Sequence, residues 1–181
     1  MEVGNTLHAK TRAEWRAWLR KHHRKEPEIW LVYHRKASGK PFVAYDDAVE
    51  EALCFGWIDS IIKKLPGDSR AQRFTPRRAK SAMSELNKAR VRRLIDQGRM
   101  TPAGLAAAGD LDGAFVVPKD ILRELKKDKQ VWANFQAFPE SYQRIRIGWI
   151  DGSRPRSEFF EQRLRYFIKM TKQGKMFGTL K

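Results

Sequence analysis

The chain has 181 residues, 41% hydrophobic and 32% charged, with one cysteine and a formal net charge of +16. That length suits one domain, or a compact domain with a helical extension. The single cysteine excludes an internal disulfide or a cysteine-rich metal site. No apolar run reaches the roughly 18–20 residues of a membrane-spanning helix, and residues 1–15 lack the apolar core of a signal peptide. The histidines His8, His22, His23 and His34 lie apart from acid clusters. The expectation is a cytoplasmic protein with no cofactor and no structural metal.

Thr11 and Glu14 have the spacing of a capping box, and Trp15, Trp18 and Leu19 follow at helical intervals, which predicts a first helix to about Arg24. After Pro27 the run Ile29-Trp30-Leu31-Val32-Tyr33 predicts a strand, apolar throughout and so covered on both faces. Ser38-Gly39-Lys40-Pro41 predicts a turn. A second helix is expected over 46–55, with Ala48, Val49, Ala52 and Leu53 on one face and Gly56 ending it. Residues 57–64 read as a strand, 65–68 as a turn and 71–75 as the returning strand of a basic hairpin.

Beyond Pro76 the signals turn helical. Ser84 is placed to cap a helix over 85–97 that Gly98 ends, and Thr101-Pro102 starts another. Pro118, Asp128, Pro139 and Pro155 open further helices, which carry Ile121 and Leu125, Val131 and Phe135, Tyr142 and Ile145, and Phe160 and Leu164. The fold class expected is α+β, a small N-terminal sheet with helices and a basic β-hairpin followed by a helical C-terminal half. The expected division is a first domain over 1–112 and a helical region over 113–181.

The charge is uneven. Between Lys63 and Arg99 stand twelve cationic and three acidic side chains, a net +9. Such a segment attracts nucleic acid or phosphorylated ligands, although a surface tuned for solubility carries charge too. In RFTPRRAKS (73–81), Arg77 and Arg78 follow Pro76 and precede Ser81 and Ser84 at a helix start. Guanidinium forks, hydroxyls and free backbone N–H groups in that order suit an oxyanion. The glycines of a nucleotide-hydrolysing loop are missing. The competing reading is a solvated turn whose arginines pair with Glu50, Glu51 or Asp59.

Upstream, CFGWIDS (54–60) holds the one thiol. Cys54 falls near the C-terminal end of its helix, where the dipole disfavours a thiolate, so it reads as a small buried hydrophobe. Asp59 reads first as a cross-strand partner of Arg73 and otherwise as a base or arginine-orienting group in a pocket. Trp57 is core in the first case and a pocket wall in the second. Asn87 shares an apolar face with Val91 and Leu94, so its amide is expected to tie that helix to the preceding loop and fix the shape of 77–81.

The run EEALCFGWIDS (50–60), then RFTPRR (73–78), SxxSxxN (81–87) and VRRLIDQGRMTPAGL (91–105) resemble the YdeI/OmpD-associated family, whose members are often labelled bacteriocin-protection proteins. The resemblance covers 30–105 and weakens through the helical half, where Gly152-Ser153 and Ser157-Glu158 replace the family's usual pattern; Met83 stands where the family often has tryptophan. It implies a bacterial cytoplasmic protein associated with stress or antimicrobial tolerance, and brings no reaction, cofactor or catalytic residue. The candidate anion- or nucleic-acid-binding set is Arg73, Arg77, Arg78, Ser81 and Ser84, supported by Trp57, Asp59 and Asn87. The chain reads as a basic binding module rather than an enzyme. Two alternatives stay open: an enzyme or small-metabolite binder with a pocket near Trp57 and Asp59, and an interaction module for an acidic protein.

Overall fold

The computed structural model describes residues 2–35, 38–67, 69–79 and 81–178. Asp68, which closes the expected hairpin turn, and Lys80, in the basic stretch, lie outside the described residues. The elements are β1 (Thr6–Leu7), α1 (Arg12–His22), β2 (Ile29–Tyr33), α2 (Tyr45–Cys54), β3 (Trp57–Lys64), β4 (Arg70–Pro76), α3 (Glu85–Asp96), α4 (Pro102–Ala108), α5 (Lys119–Lys126), α6 (Lys129–Ala137), α7 (Glu140–Asp151) and α8 (Ser157–Lys172). This is the expected α+β class, a four-stranded sheet with helices followed by a helical half. The chain packs as two compact units, Met1–Ala82 with Arg90–Leu111, and Met83–Ala89 with Asp112–Lys181. Among the described residues no helix is long and apolar enough to cross a membrane.

In the first unit the strand order is β1-β2-β4-β3, with β1 parallel to β2 and the other pairs antiparallel. The inner position of β2 accounts for its unbroken apolarity, since Trp30 and Leu31 point to opposite faces and are both fully buried. On one face Phe74 of β4 meets Trp15 of α1, with ring centroids 5.3 Å apart; Trp15 stacks on Trp18, which meets Trp57 of β3 edge-on. The buried indoles of Trp15 and Trp57 donate to the carbonyls of Ala48 and His23 at 2.9 and 3.0 Å. Trp57 is therefore a core residue whose polar group is spent.

The corner between α2 and β3 shows why the 91–105 stretch has its sequence. Gly56 leaves α2 with φ 76°, a left-handed conformation that a side chain would strain. The Cys54 carbonyl, orphaned at the helix end, accepts from both the Thr101 backbone N–H (3.0 Å) and the Thr101 hydroxyl (2.6 Å). The same hydroxyl accepts from the Gly104 N–H at 3.2 Å and so caps α4. A Cβ on Gly104 would lie 2.2 Å from the Cys54 carbonyl oxygen, so only glycine lets α4 approach this closely.

The second unit is built around Ile121, Leu125, Val131, Phe135, Tyr142, Ile147, Ile150 and Phe167. Asp128 caps α6 by accepting from the Gln130 and Val131 N–H groups at 2.8 and 3.2 Å. Asp120 is clasped by both terminal nitrogens of Arg154, at 2.8 and 2.9 Å. This fork, helped by backbone N–H groups, holds its carboxyl down from 3.8 to about 2. A depressed carboxyl stabilises the fold above its unfolded pKa, and the contribution is lost as pH falls through the folded one. Thermal unfolding of wild type and Asp120→Asn should therefore differ near neutral pH, by no more than about 1 kcal/mol because the pair is exposed. The two should converge between about pH 4 and pH 2, whereas a gap independent of pH would point to another origin.

Candidate anion-binding site

The acids of α2 decide which arginines of the first unit remain free. Asp47, Glu50 and Glu51 lie three and four residues apart, hence on one helical face. Arg12 of α1 spends all three guanidinium nitrogens on them: Nη1 to Asp47 at 2.6 Å, Nη2 to Glu50 at 2.8 Å and Nε to Glu51 at 2.6 Å. Glu51 has no exposed surface and also accepts from Arg16 at 2.6 Å and from Arg99. Glu50 also accepts from Arg93, and Asp46 pairs with Arg90 at 2.5 Å. Burial pulls the Arg12 and Arg16 pKa values down, but the bonds to Glu51 and their charge outweigh it and the net shift is upward. Three cations of the +9 segment, Arg90, Arg93 and Arg99, are thus tied into the fold.

The residues singled out from sequence have separate fates. The expected Asp59–Arg73 pair does not form, because the register sets Asp59 opposite Phe74 and sends Arg73 to the other face of the sheet. Arg73 instead grips Glu28 Oε2 through Nε and Nη2, at 2.7 and 2.5 Å. This grip, with the Trp30 indole N–H, holds the Glu28 carboxyl below the usual range. Arg77, Arg78 and Ser81 come together in one turn that closes on itself. The Arg77 guanidinium donates to the Ser81 carbonyl, and the Ser81 hydroxyl donates to the Arg78 carbonyl at 2.7 Å. Arg78 and Ser81 are exposed, and Arg77 is half-buried. Ser84 belongs to the second unit, where its hydroxyl accepts from the Asn87 N–H at 3.3 Å at the start of α3, and Asn87 is half-buried. Cys54 is fully buried, and burial with the nearby Glu51 pushes its thiol up, away from nucleophilic character.

Asp59 sits at the edge of a different constellation. It accepts from the Tyr45 hydroxyl at 2.7 Å and from the Gln72 amide at 3.4 Å. Gln72, 2% exposed, also donates to the Ser60 carbonyl at 2.9 Å, beside the irregularity that shifts the β3–β4 register between Asp59 and Ile62. Next to these lies a pocket of about 200 Å3 lined by Tyr33, Tyr45, Ile62, Arg70 and Gln72. The Tyr33 hydroxyl is buried and has no hydrogen-bond partner among the described residues. Burial, reinforced by Tyr45 and Asp59, pushes the Tyr33 phenol well above its ordinary pKa; burial and the Asp59 bond do the same for Tyr45. Both rings are neutral donors, and among the described residues only Tyr45 has found an acceptor. Arg70 is exposed at the rim, with no partner among the described residues. Sequence reading passed over these residues because Tyr33 looks like one more apolar strand position, and nothing local brings Tyr45 and Gln72 to it. Among the described residues no group of three or more His, Cys, Asp or Glu side chains is placed to hold a metal ion.

Residues 7–107 match the family model described as a domain of unknown function, DUF8412, and residues 114–174 match the one described as Bacteriocin-protection, YdeI or OmpD-Associated. The likeness to the YdeI/OmpD-associated family is thus carried by the helical half, where it was expected to weaken, and the motifs between 50 and 105 fall in the other match. No curated protein and no solved structure matches the chain.

Replacing Glu51 with Gln removes the charge that three guanidinium groups share and leaves them partly buried without it. The expected cost is roughly 3 kcal/mol, read from the midpoint of urea unfolding. An unchanged midpoint would mean that the network contributes nothing to stability.

Proposed function

Since the chain belongs to the DUF8412 family, a family of unknown function, its role has to be read from its own site, and we propose that the first unit binds a small anion in the pocket beside Asp59. One observation carries the reading: the Tyr33 hydroxyl is a buried donor with no acceptor among the described residues. Such a group costs about 1–3 kcal/mol, and a phenylalanine would fill the space without that cost. A ligand that supplies the acceptor removes the penalty.

The rest of the pocket narrows the class. A volume of about 200 Å3 is below the roughly 300–1,000 Å3 of sites for drug-sized molecules, so the ligand is compact. Tyr33 offers a donor and Arg70 a positive charge, which suits a carboxylate or phosphate group. The charge of Asp59 is already answered by Tyr45 and Gln72. The Tyr33 oxygen is covered, and the half-exposed Ile62 and Tyr45 at the mouth are the side chains that turn aside to admit a ligand. The overall +16 charge draws anions toward the surface.

This reading keeps the anion of the sequence analysis and moves its site from the Arg77–Arg78 turn to the sheet. Nucleic acid is the weaker fit, because Arg73, Arg77 and Ser81 spend their polar groups on the protein. The likeness of residues 114–174 to bacteriocin-protection proteins supports a role in antimicrobial tolerance, with anion binding as its chemistry.

Calorimetric titration with inorganic phosphate and with acetate tests the site. Wild type should bind at least one of them, more weakly as salt rises, and Tyr33→Phe and Arg70→Gln should each lower the affinity by roughly tenfold. Tyr33→Phe should hold or raise the thermal midpoint, and Arg78→Gln should leave binding unchanged. Equal affinity in wild type and Tyr33→Phe, or no binding of either anion, would overturn the assignment.

A further inference from the structure

Three charged side chains are buried among the described residues: Glu50, Glu51 and Arg146. The two glutamates are answered by arginines. Arg146 of α7 is not. It is 8% exposed, its Nε is buried without an acceptor, and it forms no ion pair among the described residues. Its surroundings are rings and Gly178, with the guanidinium carbon 4.8 Å from the Phe177 centroid, 5.5 Å from Tyr142 and 5.8 Å from Trp149, and so close to Gly178 that a Cβ there would lie 2.7 Å from Nη2. Ring faces offset part of the desolvation of a cation, but they provide no acceptor for its in-plane N–H groups. A structural role alone would be met as well by an apolar side chain of similar length, and a buried charge without a partner disfavours folding.

Arg146 lines a cleft of about 460 Å3 together with Trp149 and Phe177. The opposite wall is a stripe of α8, Phe159, Gln162, Arg163 and Tyr166, spaced three, four and seven residues apart. This stripe differs from the neighbouring one, Phe160, Leu164 and Phe167, which joins the core. Phe159 and Tyr166 remain 45% and 44% exposed, although the Arg156 guanidinium lies 4.9 Å over the Phe159 ring and Phe177 stands edge-on to Tyr166 at 4.8 Å. Arg163 is fixed in place, with its guanidinium carbon 4.6 Å above the Trp149 ring and Nη1 donating to the Trp149 carbonyl at 2.6 Å; it too lacks a carboxylate among the described residues. The cleft volume falls in the range of small-molecule sites. Two arginines without acids, an amide and partly exposed rings make its chemistry specific.

We infer that the second unit holds a binding site for an anionic ligand with a flat aromatic ring, its charge held by Arg146 and Arg163 and its ring placed against Tyr166 and Phe159. The shared chemistry is an anionic group on a planar ring, whether a nucleoside monophosphate or an aromatic carboxylate supplies it. The site stands apart from the Tyr33 pocket, and neither assignment depends on the other.

The test is calorimetric titration of the full chain with adenosine monophosphate, benzoate and inorganic phosphate, followed by tryptophan emission. At least one ring-bearing anion should bind and change the emission. Preference for the monophosphate identifies a nucleotide source, and preference for benzoate identifies a carboxylate; both support the site. Arg146→Met should weaken the ring-bearing ligand at least roughly tenfold while the thermal midpoint holds or rises, and Tyr33→Phe should leave this affinity unchanged. Inorganic phosphate binding as tightly as the ring-bearing anions would overturn the role of the ring. A lowered midpoint with intact binding in Arg146→Met would make Arg146 structural and overturn the site. If Arg146→Met does not fold, Arg163→Gln, at a more exposed position, decides instead: reduced affinity supports the site and unchanged affinity overturns it.

Discussion

A carboxylate that water does not reach organises the first unit. Glu51 of α2 receives Arg12 and Arg16 from α1 and Arg99 from the stretch between α3 and α4. Burying one charge is affordable only when several hydrogen-bonded partners come with it, and those partners are thereby removed from the surface. With Glu50, Asp46 and Asp47 nearby, α2 ties Arg12, Arg16, Arg90, Arg93 and Arg99 into internal structure. Net charge alone therefore does not say which cations meet an anion. The useful measure is which cations and donors remain unspent after the acids of the fold have been served.

By that measure two places stand out, one in each unit. In the first it is a phenol, Tyr33, beside Arg70, which is unpaired among the described residues; in the second it is a guanidinium, Arg146, among rings and beside Arg163. Both break the rule that buried polar groups find partners, and both line cavities of ligand size. The physical logic is common to them: the fold carries an uncompensated group, and the proposed ligand is one whose chemistry supplies the missing contact. The difference in volume, about 200 against 460 Å3, and in lining separates a compact anion from one with an aromatic body.

Much of the fold was legible because its signals are local. The β-branched and aromatic run 29–33, the Gly56 stop after α2, the Thr101-Pro102 start and the Asp128 cap each place an element boundary by their own chemistry. Strand β1 was not legible, since a two-residue parallel strand has no periodicity to read. The partner of Arg73 was misread for a related reason. A cross-strand pair depends on register, a one-residue offset moves a side chain to the other face, and the carboxylate that answers Arg73 stands forty-five residues away on the approach to β2. The Tyr33 pocket joins four separate elements, β2, α2, β3 and β4, and leaves no local trace. Arg146 did leave one. It falls among Tyr142, Ile145, Trp149 and Ile150 on the inward stripe of α7, where a basic residue at an apolar position is the signal to follow.

The central claim is that the carboxylates of the fold determine which cations meet an anion in the first unit. The most direct measurement is a proton–nitrogen correlation spectrum of the arginine side chains, recorded on the full chain as inorganic phosphate is added. The Nε–H signal of Arg70 should move progressively, while those of Arg12, Arg16 and Arg73, locked to Glu51, Glu50 and Glu28, stay in place. Movement at Arg77 and Arg78 with Arg70 unchanged would contradict it, and would return the site to the basic turn after β4.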